Sequence, residues 1–287
     1  MRKKFLSKKT EKGEIKMNIL VTLDSNYIPP LTVLLKSLMM TNPDNKFDLY
    51  VAHSSLTEED FLKIKNAIDP SRTRVHSIEV SPGILVDAPV FKRISKETYY
   101  RLLMMDFLPG TVDRILYIDP DTVVLRDISP LYNIDFKGKT IAAAGHTKYF
   151  IEELNRLRFR TGRDSRYFNA GVMMVNVAKM RKNVTSEMVF EYVNKNKRWL
   201  FLADQDVLNG MFGNDMIPID ECIYNLDEKT VIYNRRRVRN LKWVEENAVI
   251  VHFNGKYKPW KEGYKGILAP LWFRFRDAEV PLLKRVG

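Results

Sequence analysis

Short, nearly continuous apolar runs punctuate this chain: Met17 to Leu23 (MNILVTL), Phe47 to Ala52, Arg114 to Ile118, Ile141 to Ala144, Val172 to Val177 and Val249 to Phe253. A strand buried on both faces reads this way because it has no solvent side on which to carry polar residues. Arg74 to Val80 reads as a further strand. Between them lie stretches of helical character: Leu31 to Met40, stopped by Asn42-Pro43; a segment opened by the capping pattern Thr57-Glu58-Glu59-Asp60 and ended at Asp69-Pro70; and Ser95 to Leu108, closed by Pro109-Gly110. Strands alternating with helices at this spacing predict an α/β fold, a mostly parallel sheet covered on both faces. No period of about 20–50 residues recurs, which argues against a repeat protein.

With 287 residues the chain can bury one large domain, or a domain with a small appendage. Its single cysteine, Cys222, excludes an intramolecular disulfide and fits a reducing compartment. No apolar run reaches the roughly 18 residues needed to span a bilayer. Phe5-Leu6 is followed at once by Ser7-Lys8-Lys9, which gives no signal-peptide core. The expectation is a cytoplasmic protein, in which Asn183-Val184-Thr185 is an accident of composition.

The net charge of +12 favours anionic partners. Much of the excess sits in the leader, residues 1–16, and in Arg235-Arg236-Arg237-Val238-Arg239. Solvated charge explains both equally well. No interleaving of these charges with aromatic rings suggests a base-stacking surface, so nucleic acid is not an expected partner. The end of the chain, residues 263–287, is aromatic and basic (Trp272-Phe273-Arg274-Phe275-Arg276) and reads as an appendage to a core of residues 17–262.

Open α/β sheets bind ligands at the carboxyl ends of their strands. The first strand ends in Asp24-Ser25-Asn26-Tyr27, with neither a G-x-G-x-x-G loop nor a P-loop, which disfavours a dehydrogenase or an NTPase. A carboxylate, an amide and a ring suit a nucleoside; the same residues also make ordinary turns. The sharpest feature is ILYIDPDTVV, a strand running into Asp119-Pro120-Asp121. Residues at i and i+2 of an extended segment point to one side, so both carboxylates can face one point. Either this is a polar turn, or a hard divalent cation sits between the two charges. Val249 to Val251 delivers His252 at a strand end, followed by Phe253-Asn254-Gly255-Lys256-Tyr257-Lys258-Pro259-Trp260, a loop suited to closing over phosphates. An imidazole beside two carboxylates is a manganese ligand set, although sequence does not bring the two strand ends together. Arg101 stands in an otherwise apolar helix, Tyr99 to Phe107, where a charge is expensive unless paired.

The order DSNY, YYRL, LYIDPD, YFNAGVMMVN, DQDVLNGMF, HFNGKYKPW resembles the family 8 retaining glycosyltransferases, over roughly Asn18 to Trp260. That group includes bacterial lipopolysaccharide galactosyl- and glucosyltransferases and glycogenin. The resemblance implies the GT-A fold, a single α/β domain around a mixed, mostly parallel sheet with helices on both faces. It implies a UDP-hexose donor, glucose or galactose, with Mn²⁺ as cofactor and Mg²⁺ as the alternative. Asp119, Asp121 and His252 would bind the metal; Asp24, Asn26 and Tyr27 would hold the uridine. Arg101, Asn169 and Ala170 would reach the donor sugar, Asp204 and Gln205 would line the reacting face, and Gly255 and Lys258 would close on the diphosphate. Retention comes from the resemblance alone. Gln205 is a poor nucleophile, which favours a front-face mechanism over a double displacement. His146 stands where relatives commonly place an Asp toward the acceptor, which leaves the acceptor open between a glycan and a lipid-linked sugar.

Bacterial envelope glycan synthesis is the implied setting, with the basic leader and LWFRFR as candidates for contact with an anionic membrane at its inner face. A packed C-terminal helix accounts for LWFRFR as well. A nucleotidyltransferase would carry a glycine- and lysine-rich loop after the first strand, which this chain lacks. A non-catalytic binder has no support, because every matched metal and donor position is filled.

Overall fold

The computed structural model describes residues 16–80, 99–145 and 166–279. His146, the start of the helix expected at Ser95 and all of the leader but Lys16 lie outside them.

The first half builds two parallel strand–helix–strand units: β1 (Lys16–Thr22), α1 (Ile28–Thr41), β2 (Lys46–His53), α2 (Glu58–Asn66) and β3 (Thr73–Glu79). Pro29 and Pro30 open α1, where a missing N–H costs no helical bond. Thr57 and Asp60 form the capping box of α2, the Thr57 hydroxyl accepting from Asp60 N and the Asp60 carboxylate accepting from Thr57 N. Then come α3 (Met104–Phe107), β4 (Arg114–Ile118), β5 (Thr122–Val124), α4 (Ser129–Tyr132), β6 (Ile141–Gly145) and β7 (Phe168–Asn176). The chain continues through α5 (Val177–Asn183), α6 (Ser186–Asn196), α7 (Ala203–Phe212), β8 (Met216–Ile219), α8 (Glu221–Tyr224) and α9 (Glu228–Tyr233). It closes with α10 (Leu241–Asn247), β9 (Ile250–His252) and α11 (Ala269–Arg276).

Seven strands form one sheet in the order β3-β2-β1-β4-β7-β6-β8. β7 runs antiparallel to both its neighbours, and every other pair is parallel. The sheet is therefore mixed and mostly parallel, with helices on both faces. The unbroken apolar runs have the expected cause. Ile115, Tyr117, Met173 and Val175 face a cluster with the 99–112 segment, α6 and α7, while Leu116, Ile118, Val172 and Met174 face α1 and α2.

Three expectations are corrected. The run Val249 to Phe253 does not join the main sheet; its core, β9, pairs antiparallel with β5 in a two-stranded ribbon. The stretch around Arg101 is not one helix. A turn at Arg101–Leu103 interrupts it, with the N–H groups of Leu102 and Leu103 both bonded to Tyr99 O, and Arg101 leaves the helical path to reach carboxylates on other elements. β5 and β8 are strands that the apolar pattern missed, because three and four residues are too few to show a period and β8 contains Pro218.

A third cluster gathers β5, β9 and the helices beyond β8 around Trp272, with Phe253, Leu271 and Phe275. The aromatic rings of LWFRFR thus point mainly inward: Trp272 and Phe275 are buried, while Arg274 and Arg276 are the exposed charges of that helix. α11 also packs on α1, where Lys36 donates to the Arg276 carbonyl at 2.9 Å. No helix among the described residues is long and apolar enough to cross a membrane. If α11 is part of the core, Trp272→Ala should cost about 3–5 kcal/mol of unfolding free energy in urea titrations, as large-to-small changes of buried Trp do. A loss under about 1 kcal/mol would show a helix that merely rests on the surface.

Candidate active site

β4 ends at Ile118, and Asp119 and Asp121 follow at the carboxyl edge of the sheet. The turn is closed by the Thr122 hydroxyl donating to Asp119 O at 2.9 Å, after which the chain reverses into β5. In the β5–β9 ribbon Thr122 stands opposite His252, and Phe253 N donates to Asp121 O at 2.9 Å. That register places an imidazole against two carboxylates 131 and more residues away. His252 Nε2 lies 3.1 Å from Asp121 Oδ1 and 3.6 Å from Asp119 Oδ2. One ligand atom from each of the three residues lies within 4.8 Å of the others. Ligands held about 2.0–2.6 Å from one ion cannot be more than about 5 Å apart, so the spacing fits a divalent cation.

Two further features prepare the set for a metal. The Nδ1 edge of His252 lies 2.8 Å from Asn225 Oδ1, an acceptor, which keeps a proton on Nδ1 and leaves Nε2 as the edge that faces the carboxylates, where a metal would displace its proton. Gly171 makes room: a Cβ there would overlap the His252 ring and stand 2.8 Å from Asp119 Oδ2. Its carbonyl accepts from Asp119 N at 2.7 Å, which fixes the start of the turn. Neither Asn225 nor Gly171 was legible as a site residue, although Gly171 stands inside the quoted FNAGV motif.

Cations already surround these carboxylates. Burial alone would raise the Asp121 carboxyl, but His252 and Lys258 outweigh it and bring it down to about 2. Lys258 Nζ donates to Asp121 Oδ2 at 2.7 Å and to Phe253 O at 2.8 Å, closing the loop that contains Gly255. Burial pushes the His252 imidazole down, yet Asp121 and Asp119 together hold it above its ordinary value. Arg101 bridges two carboxylates: Nη1 is 3.1 Å from Asp119 Oδ1 and Nε 3.0 Å from Asp204 Oδ2. The second contact is an ion pair by distance, its N–H not aligned for a hydrogen bond. The guanidinium also lies over the Tyr117 ring, 4.8 Å from its centroid. Tyr117 in turn donates to Asp119 Oδ1 at 2.7 Å and lies 3.1 Å from the Thr22 hydroxyl. Burial holds the Asp204 carboxyl above its ordinary range, against the opposing pull of Arg101.

The remaining expected residues lie around this centre. Asp24 caps a short 3-10 turn, accepting from Asn26 N at 2.9 Å and Asn26 Nδ2 at 3.3 Å. Tyr27 is half-buried beside Trp260, ring centroids 5.9 Å apart. Burial and then the charges of Asp121 and Asp119 raise its hydroxyl pKa, so the turn lies within electrostatic reach of the centre. Asn169 Oδ1 accepts from Gly171 N at 2.8 Å, and the Ala170 carbonyl accepts from Arg101 Nη1 at 3.5 Å. Asp204 and Gln205 occupy the first turn of α7.

The sequence model of glycosyl transferase family 8 matches residues 18–263. Glycosyltransferase GlyF of Streptococcus pneumoniae is 25% identical over 266 residues, 92% of this chain and 62% of that protein. This chain thus spans less than two thirds of that relative. Lipopolysaccharide 1,2-glucosyltransferase of Escherichia coli K12 is 23% identical over 247 residues, covering 85% of this chain and 73% of that protein. The crystal structure of galactosyltransferase LgtC in complex with donor and acceptor sugar analogs superposes with a TM-score of 0.78 at 23% identity, covering 93% of this chain and 98% of that one. The folds are the same.

Gly171→Ala should weaken Mn²⁺ binding at least about tenfold in calorimetric titration, since the added methyl must displace the His252 ring. Unchanged affinity would mean that His252 is no ligand. Affinity should also depend on pH in a defined sense. A proton competes with the metal for Nε2, and the His252 pKa lies above 6.5. Mn²⁺ affinity should therefore rise by up to about tenfold per pH unit through that pKa and level off above it. An affinity that is flat from about pH 6 to 9 would contradict imidazole ligation.

Proposed function

The chain belongs to glycosyl transferase family 8, and from this premise we propose that it transfers a hexose, glucose or galactose, from a UDP-hexose to a hydroxyl of a glycan or lipid-linked acceptor, with retention, in bacterial envelope glycan synthesis. The observation that carries this reading is the convergence of Asp119, Asp121 and His252 next to Lys258 and within electrostatic reach of Tyr27. Carboxylates, an imidazole and an ammonium beside an aromatic turn suit a nucleoside diphosphate better than any neutral ligand.

In this reading Tyr27 offers its ring to the uracil, with Trp260 behind it, and Asp24 and Asn26 bind ribose or base edges. Asp119, Asp121 and His252 would hold Mn²⁺, or Mg²⁺ in its place. Such an ion supplies Lewis-acid charge that offsets the charge developing on the leaving diphosphate. Lys258 adds a second positive charge from the loop that contains Gly255. Asp204 and Arg101, ion-paired at 3.0 Å, present one acceptor and one donor group to the sugar hydroxyls, with Asn169 and Ala170 on the facing turn.

The acceptor hydroxyl then attacks the anomeric carbon from the side the diphosphate leaves, and a diphosphate oxygen takes its proton. A double displacement would need a carboxylate free to attack from beneath. Gln205 is an amide, and Asp204 is committed to Arg101. Gln205 stabilises or positions the developing oxocarbenium-like centre instead.

UDP release from a panel of UDP-hexoses, with Mn²⁺ and with chelator, tests the proposal. One UDP-hexose should be hydrolysed slowly, and chelation or Asp121→Ala should lower the rate by at least about 100-fold. Equal release by wild type and Asp121→Ala would remove the metal site from the reaction. No turnover or binding of any UDP-hexose would refute the donor assignment.

A further inference from the structure

Asn169 and Ala170 stand at the start of β7, whereas Asp204 and Gln205 stand on the first turn of α7. A sugar ring held between them requires the two elements to keep their distance to a fraction of an ångström. Two buried side chains of α7 face that task. Asn209 bonds both main-chain groups of Phe168: its Oδ1 accepts from Phe168 N at 2.6 Å and its Nδ2 donates to Phe168 O at 2.8 Å. Asp206, fully buried, reaches the segment on the other side. Its Oδ1 accepts from the Tyr167 hydroxyl at 2.6 Å. Its Oδ2 accepts from Phe201 N at 2.6 Å and Leu202 N at 2.8 Å. Leu202 is the N-cap of α7, and its N–H is one of the donors that a helix start leaves without an intrahelical partner; the Asp206 carboxylate accepts it, and the Phe201 N–H before it, from inside the helix.

We infer that Asp206 is a positioning residue: it ties the start of α7 to Tyr167, so that Asp204 and Gln205 face Asn169 and Ala170, and it does not react itself. This rests on the proposed sugar-transfer reading of the site. Its place beside Gln205 in Asp204-Gln205-Asp206 would also suit the opposite role, that of a nucleophile. The geometry removes it from that role. Both oxygens are held in short bonds inside the protein, and a nucleophile needs a free lone pair aimed at the anomeric carbon.

The two roles separate in the Asn variant. Asp206→Asn loses the charge and keeps the shape. Its Oδ1 can accept from the Phe201 and Leu202 N–H groups while its amide donates to the Tyr167 hydroxyl oxygen. Asp206→Ala loses both links. Wild type, Asp206→Ala and Asp206→Asn are compared in Mn²⁺ by UDP release, UDP affinity and amide hydrogen exchange. Asp206→Ala should lower turnover about 100-fold, the scale of a misplacement near 1 Å, with UDP affinity lowered at most about tenfold, because Asp204 touches the metal-binding carboxylates only through Arg101. The amides of Phe201 and Leu202 should exchange about tenfold faster in it, the scale of one lost charged hydrogen bond.

Asp206→Asn should recover both turnover and protection toward wild type. Tyr167→Phe, which removes one bond and little packing, should show the same pattern more weakly, and it decides the matter if Asp206→Ala does not fold. An Asn variant as inactive as the Ala variant, with its amides protected, would show that the charge itself reacts and would overturn the inference. So would wild-type turnover or amide protection in Asp206→Ala. If wild type neither binds nor cleaves a UDP-hexose, the donor reading fails, and the exchange contrast alone still decides whether Asp206 holds the segment.

Discussion

Three carboxylates, Asp119, Asp121 and Asp204, are gathered at one edge of the sheet, and little of the surrounding structure makes sense without their mutual repulsion. Two unit charges about 4 Å apart at an effective dielectric of about 20 repel by about 4 kcal/mol, a sizeable share of the stability of a whole domain. Each carboxylate is accordingly met by a cation. Arg101 spans Asp119 and Asp204, and Lys258 and His252 flank Asp121. These side chains come from the turn after Tyr99, from the β9 edge and from the loop beyond it. The charge constraint therefore ties together segments that hydrophobic packing alone would leave independent. It also explains why Arg101 leaves the helical path, since its desolvation is tolerable only between two anions.

The ribbon of β5 and β9 converts that constraint into a site. It stands apart from the main sheet, and its Thr122–His252 register decides which face of β9 meets the Asp119–Asp121 turn. A one-residue slip would turn His252 to the other side. The ribbon is backed by the third hydrophobic cluster, in which Trp272 of α11 touches both Phe253 and Trp260, with ring centroids 5.3 Å apart in each case. Trp260 reaches Tyr27. The C-terminal helix thus supports the ring proposed to stack on the base, through two aromatic contacts.

Much of this was legible in the residues. The apolar runs identified the buried strands of the main sheet because central strands have no polar side to disguise them. The i, i+2 spacing of Asp119 and Asp121 predicted carboxylates on one side, and the motif order pointed to family 8. What stayed hidden depends on tertiary geometry. Gly171 looks like any strand glycine until the His252 ring is seen beside it. Asn225 and Tyr117 act by orienting His252 and Asp119, which requires contacts 27 residues away in one case and only two in the other. β5 is too short to announce itself, yet it is the strand that completes the site. The Asp24-Ser25-Asn26-Tyr27 turn was ambiguous between turn and nucleoside contact, and its internal Asp24–Asn26 bonds account for the turn half of that ambiguity.

Everything proposed for this site requires that Asp119, Asp121 and His252 act as one metal centre against which a UDP-sugar docks. Anomalous diffraction at the manganese edge, from crystals soaked with Mn²⁺ and UDP, addresses it with no assumption about acceptor or donor sugar. One strong peak is expected within about 2.0–2.6 Å of a carboxylate oxygen of Asp119, one of Asp121 and Nε2 of His252, on the side from which Lys258 approaches. A peak elsewhere, or none at saturating metal and UDP, would contradict it.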